Sequence, residues 1–160
     1  MAMNRRRPIF ACWLVLAVAS ALRAMDVAIV VNKDNPLSEL SFRELTALFE
    51  LQQQFWKAGG RVHVIIQHAG VPERNVMLKA VFHRTDEGLN KYWLNRMFKA
   101  EISDLPQSEP SAELVKLEIA KRVNAISFID AAKVDDTVKV LRIDGLLPGA
   151  DKYRLKSDEP

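Results

Sequence analysis

One cysteine and three histidines in 160 residues remove most thiol and metal chemistry from consideration. The cysteine, Cys12, lies in an N-terminal leader. Without that leader the chain has no thiol for an internal disulfide, a CxxC pair, a cysteine nucleophile or a thiolate zinc site. His63 and His68 fall on opposite faces of a strand and its turn, and His83 falls at a helix end, so no shared metal site is expected. No GxSxG hydrolase signature is present. Ser38, Ser41, Ser103, Ser108 and Ser111 all sit in loop or cap positions that account for them locally. The paired acids Asp86-Glu87 and Asp135-Asp136 are expected to face solvent. The residues therefore offer no nucleophile with a base, no catalytic dyad and no cofactor motif, and the chain reads as a non-enzyme.

An excess of positive charge is also missing once the leader is set aside. The whole chain carries a net charge of +3 and a pI near 9.1. Four of its 23 basic residues, Arg5, Arg6, Arg7 and Arg23, lie in the first 24 positions, which hold no acid; 19 bases remain against 20 acids, a net charge of −1. Nucleic-acid binding needs lysine and arginine concentrated on one surface, so that class is excluded. The apolar run Pro8–Leu22 is about 15 residues, shorter than the roughly 20 that span a bilayer. Three arginines before it, small residues Ala19-Ser20-Ala21 near its end and Ala24 after it match a secretory signal peptide. Residues 1–24 are thus expected to be a cleavable leader, cut after Ala21 or Ala24, that takes the chain to the periplasm with no stable membrane span. Residues 25–150 are expected to form one domain and 151–160 a polar tail.

Asp26–Val31 reads as a buried strand ended by the turn Asn32-Lys33-Asp34-Asn35-Pro36. Ser41 and Glu44 form a capping box for a helix over about 42–51. Val62–Ile66 is a second strand, and Pro72 starts a helix lined by Val76, Met77, Ala80 and Val81. Thr85 caps a third helix, on which Tyr92 and Trp93 are expected to be core. Residues 99–110 read as a loop and Ser111 opens a fourth helix to about Arg122. Ala125–Ile129 and Val138–Ile143 are expected to be two further strands, paired antiparallel because their connection is too short for a helical crossover. Strands alternating with helices indicate an α/β layer architecture with a partly parallel sheet.

The junction from Gln67 to Asn75 is the most informative segment. An apolar strand runs through Gly70 directly into a helix, which places backbone amides and a positive helix end at the carboxyl end of a strand. That arrangement favours an anion, with Gly70 allowing close approach, the amides near Glu73 and Arg74 pointing at it, and the Arg74 guanidinium within reach. The same pattern also occurs in connections that bind nothing. Phe55-Trp56, before Gly59-Gly60, is either a ligand-contacting loop or a plug in which Trp56 closes the open end of the core; the plug is the favoured reading.

Ordered landmarks carry a family resemblance: Val31 to Pro36, Leu40 to Leu45 with Phe49, Phe55-Trp56 with Gly59-Gly60, Gly70 to Arg74, and Ala125 to Asp130. Over about Val27 to Gly145 the chain resembles the periplasmic phosphate-binding components of ABC transporters, and in particular a small single-lobe branch of that family. The resemblance implies a type 2 periplasmic-binding-protein-like α/β fold, a single lobe with a mixed, mostly parallel sheet flanked by helices. It also implies a ligand-binding set of Gly70, Val71, Glu73 and Arg74, with phosphate or another small oxyanion as ligand and an ABC permease as partner. Two departures stand out. Val71 occupies a position where a hydroxyl is usual in the family, and the length matches one lobe where phosphate-binding relatives close two. The expectation is therefore an exported solute-binding-like protein with weak oxyanion binding at 67–75. The alternative is an envelope protein-protein interaction module on the same fold that has lost its ligand.

Overall fold

The computed structural model describes residues 24–157; the expected leader lies outside them except for Ala24. Its central strand is β1 (Val27–Val31), in which all five side chains are fully buried. Alternation sends Val27, Ile29 and Val31 to one face of the sheet and Ala28 and Val30 to the other. A strand covered on both faces reads as a continuous apolar run rather than an alternating one, and this is why the segment stands out in the sequence.

The remaining elements follow as β2 (Glu39–Leu40), α1 (Phe42–Phe49), β3 (His63–Gln67), α2 (Pro72–Met77), α3 (Asp86–Phe98), β4 (Gln107–Glu109), α4 (Ala112–Lys121), β5 (Ala125–Asp130), β6 (Lys139–Val140) and β7 (Arg142–Ile143). Leu78–Phe82 continues α2 as a π-helical turn that ends at His83 in the left-handed region. Five strands form one sheet in the order β4-β3-β5-β1-β6. β3 is parallel to β4 and to β5, while β1 is antiparallel to both β5 and β6, so four strands run one way and β1 alone runs against them. Two layers cover this sheet. The aromatic chain Phe128, Phe49, Phe82 and Trp93 joins β5 to α1, the π turn and α3 on one face, with ring centroids 5.7–6.3 Å apart. Ala112, Val115 and Ile119 of α4 cover the other face. The sheet is mixed and mostly parallel with helices on both faces, as the sequence leads one to expect. Among the described residues no helix is long and apolar enough to cross a membrane.

The ends of the helices follow their local chemistry. Ser41 accepts from the Glu44 amide while the Glu44 carboxylate accepts from the Ser41 amide, completing the capping box. Thr85 and Ser111 cap α3 and α4 by accepting from the Gly88 and Leu114 amides, without a reciprocal carboxylate. At the far end of α4 the turn after β1 supplies donors to carbonyls of the last turn and of the segment that follows it. Asn32 Nδ2 donates to Ile119 and Ala120, and Asn35 Nδ2 donates to Val123. The polar turn that ends β1 is thus also the cap of a distant helix. Trp56 is buried and donates to the Asn124 carbonyl at 3.2 Å, the plug expected of it, while Phe55 stays 61% exposed.

Four expectations are corrected. The segment Val138–Ile143 is not one strand: it breaks at Leu141, leaving β6 in the main sheet and β7 parallel to β2 in a separate pair. β5 and β6 do not pair with each other, because β1 lies between them. The connection from Ala131 to Val138 recrosses the α4 face through a 3-10 turn (Ala131–Lys133), held by Lys116 Nζ on the Lys133 carbonyl at 3.1 Å. The stretch read as a loop contains β4, whose three polar residues gain ladder bonds from β3 without any apolar signal of their own. Residues 151–157, polar in composition, pack against the domain: Leu155 is fully buried and its carbonyl accepts from the Val27 amide at 2.8 Å. Beside it, the Tyr153 hydroxyl donates to the Val27 carbonyl at 2.7 Å.

Candidate functional site

The strand-to-helix junction forms as the sequence implies. β3 ends at Gln67 and α2 begins at Pro72. Gly70 between them has φ +89°, a left-handed value, and no atom lies within 4 Å of where a Cβ would stand. The turn itself, not crowding, therefore requires glycine. Val71 is the N-cap and offers no side-chain oxygen, so the first-turn amides of α2 receive no cap from it. Pro72 has no amide to satisfy, which suits the first helical position.

Glu73 and Arg74 both turn inward. Glu73 is 2% exposed and accepts from Lys133 Nζ at 3.1 Å, tying α2 to the 3-10 turn after β5. The hydrogen bond to Glu73 raises the Lys133 ammonium above the ordinary lysine pKa, against the opposing effect of burial. Arg74 is 4% exposed; its Nη1 donates to the Gln67 carbonyl at 2.7 Å and its Nε donates to Asp86. The expected reach of Arg74 toward a ligand is thus redirected: the guanidinium closes the junction on itself and binds the first residue of α3. Asp86, expected to face solvent, is the partner, and its side chain is 31% exposed.

A recess of about 240 Å³ adjoins this junction, lined among others by Ile66, His68, Arg74, Asn90, Trp93 and Ser108. Polar groups from β3, α2, α3 and β4 reach it, and Ile66 and Trp93 form apolar walls. Trp93 is core as expected, and its Nε1 has no hydrogen-bond partner among the described residues. A comparable recess of about 260 Å³ lies at the other end of β3, where Arg61 is held at the surface by Asp104 at 3.0 Å. Of the residues expected to bind, the junction brings Gly70, Val71, Glu73 and Arg74 together. Sequence reasoning missed Asp86, Asn90, Ser108 and Lys133, because their positions depend on how α3, β4 and the 3-10 turn pack. The three histidines stay apart in the structure, at the start of β3, after its end and at the end of the π turn.

The electrostatic consequence is specific. Arg74 faces Asp86, and Lys133 faces Glu73, so each cation at the junction already has a carboxylate of its own. An added oxyanion would share Arg74 with Asp86 and would find no hydroxyl on Val71.

No protein-family model matches the chain, and no curated protein matches it. Solved structures do. The chain aligns with an ABC-type phosphate transport receptor from Vibrio cholerae at a TM-score of 0.68 and 19% identity, over 83% of this chain and 54% of that one. It aligns with a putative phosphate ABC transporter substrate-binding protein with bound phosphate from Clostridium perfringens at a TM-score of 0.62 and 20% identity, over 77% and 46%. PstS from Borrelia burgdorferi gives a TM-score of 0.68 at 11% identity, over 84% and 55%. The chain thus spans about half the length of these structures. The described residues have the fold of a single-lobe, periplasmic-binding-type α/β domain, shared with phosphate ABC transporter substrate-binding proteins.

Proposed function

We propose that the protein is an exported, non-enzymatic solute-binding-like protein that holds phosphate or another small oxyanion weakly at the junction of residues 67–75. The observation that carries this reading is the likeness in fold to phosphate transport receptors, one of them with phosphate bound. The recess beside Arg74 supports it, since it brings a buried guanidinium into one small space with polar groups of β3, α3 and β4. Weak binding follows from the internal pairing. The anion gains only the part of the Arg74 charge that Asp86 leaves, together with a helix-end contribution of about 0.3–1 kcal/mol. Gly70, Val71, Glu73 and Arg74 are the proposed contacts, Gly70 and Val71 through the backbone. An ABC permease is the proposed partner, and the periplasm, reached through the leader over residues 1–24, is the proposed location.

Isothermal titration with phosphate, sulfate and a control sugar tests the ligand. Heat with phosphate and none with the sugar supports the reading; no heat with either anion up to millimolar concentration overturns it. N-terminal sequencing of the protein recovered from the periplasm tests export, with Leu22 or Met25 as the expected first residue.

A second reading, an envelope interaction module on this fold, draws on the two carboxylates that already face Arg74 and Lys133. An anion site whose cations are both paired within the chain is suited to bracing the fold. Co-purification of a sensor or envelope protein, and not of a permease, with this chain in phosphate-free medium favours the module.

A further inference from the structure

α4 has two unlike sides. Ala112, Val115 and Ile119 are buried against the sheet. The opposite side carries Leu117, 56% exposed, Leu114, 40% exposed, and the exposed Ala120. Glu113 lies one turn before Leu117 and Lys121 one turn after it, both exposed, so the outer strip reads acidic, apolar, basic along the helix. Leu117 and Ala120 stay exposed on this strip, and the buried apolar residues of α1 to α3 belong to the cluster on the other face of the sheet.

We propose that this outer face of α4 is the contact surface for a second copy of the chain, in an antiparallel pair whose two-fold axis passes at Leu117. A two-fold contact is self-complementary, so what residue i meets on one subunit, its equivalent meets on the other. Centred on Leu117, the antiparallel arrangement sets Glu113 opposite the partner's Lys121 and Lys121 opposite the partner's Glu113. It also sets Leu114 opposite the partner's Ala120, a large residue against a small one, which lets the helices approach. A parallel pair in the same register would set each carboxylate against its own equivalent, and a one-turn slip would set Glu113 against the partner's Leu117. The charge order therefore selects one orientation and one register. In the single chain Lys121 is held by Glu118 at 2.6 Å and stays 64% exposed, so it is free to add a second carboxylate. One helix pair buries less than the roughly 1,200 Å² of a standard interface, so association is expected to be reversible and concentration-dependent.

Sedimentation equilibrium of the full chain over a concentration series is the test. A monomer–dimer equilibrium is expected, with association weakened at least tenfold by Leu117→Asp and by Glu113→Lys and regained in the double charge swap Glu113→Lys with Lys121→Glu. In the full chain with Cys12→Ser, Leu117→Cys places one thiol at the axis and should form a disulfide-linked dimer under mild oxidation. A monomer at all concentrations, or a dimer that tolerates Leu117→Asp, overturns the proposal. A dimer that fails to cross-link through residue 117 overturns the register. Circular dichroism of each variant reports on folding, and the cross-linking result stands without the charge variants.

Discussion

The Nε of Arg74 donates to Asp86 Oδ1 at 2.5 Å, fastening the first turn of α2 to the first residue of α3. This contact makes the candidate anion site partly self-satisfied. A guanidinium and a carboxylate form one of the stronger side-chain pairs, and here the arginine also satisfies the last carbonyl of β3.

Removing the carboxylate should release the arginine. Asp86→Asn is expected to raise phosphate affinity several-fold in titration, because the guanidinium then faces the recess with its charge uncompensated. Arg74→Ala should abolish the phosphate response and cost about 1–3 kcal/mol in denaturant unfolding, since the Gln67 carbonyl and Asp86 lose their donor. Equal phosphate affinity in wild type and both variants would remove Arg74 from the ligand site.

Val71 leaves α2 without a side-chain cap. Val71→Ser supplies an oxygen at the N-cap and is expected to stabilise the protein by about 0.5–1 kcal/mol in thermal unfolding. The same hydroxyl should strengthen phosphate binding if the anion sits on the first turn. A stabilised protein with unchanged affinity would place the anion elsewhere.

The last described residues act as part of the core. Leu155→Ala should cost about 2–5 kcal/mol by leaving a cavity against β1. Tyr153→Phe should cost about 1 kcal/mol by removing the hydrogen bond to the Val27 carbonyl. Burial pushes the Tyr153 phenol above its usual pKa, so it stays a donor through neutral and mildly alkaline pH. Urea midpoints check both variants, and a neutral Leu155→Ala would contradict the packing described.

The α1 capping box predicts an acid transition. The hydrogen bond from Lys57, then those from Ser41, lower the Glu44 carboxyl from 4.5 to about 2. A group with a depressed folded pKa contributes its stability above its unfolded value and loses it as pH falls through the folded one. Stability should therefore drop between about pH 4.5 and pH 2, by no more than about 1–2 kcal/mol because Lys57 is solvent-screened. Glu44→Gln should lower stability at pH 7 and flatten this part of the pH profile.

Local chemistry is what the amino-acid sequence displays most clearly. The apolar runs of β1, β3 and β5, the caps at Ser41, Thr85 and Ser111, and the glycine turn before Pro72 all arise from contacts within a few residues, and all are present in the structure. The short strands β2, β4, β6 and β7 were not separable in advance. Two or three polar or mixed residues become a strand only when a neighbour supplies the ladder, and β4 exists because β3 lies beside it.

The charge state of the candidate site was likewise a matter for the tertiary structure. By itself the sequence determined that a glycine turn, a helix start and an arginine come together at residues 70–74, because those residues adjoin in the chain. Which partner each charge takes was decided by packing: Asp86 reaches Arg74 across 12 positions and Lys133 reaches Glu73 across 60. Buried charges must find partners at whatever separation the fold brings them, since leaving one unpaired away from water is costly. Periodicity and propensity are short-ranged and do not register such pairs, so the anchor points of the junction are local while its electrostatic balance is a property of the whole domain.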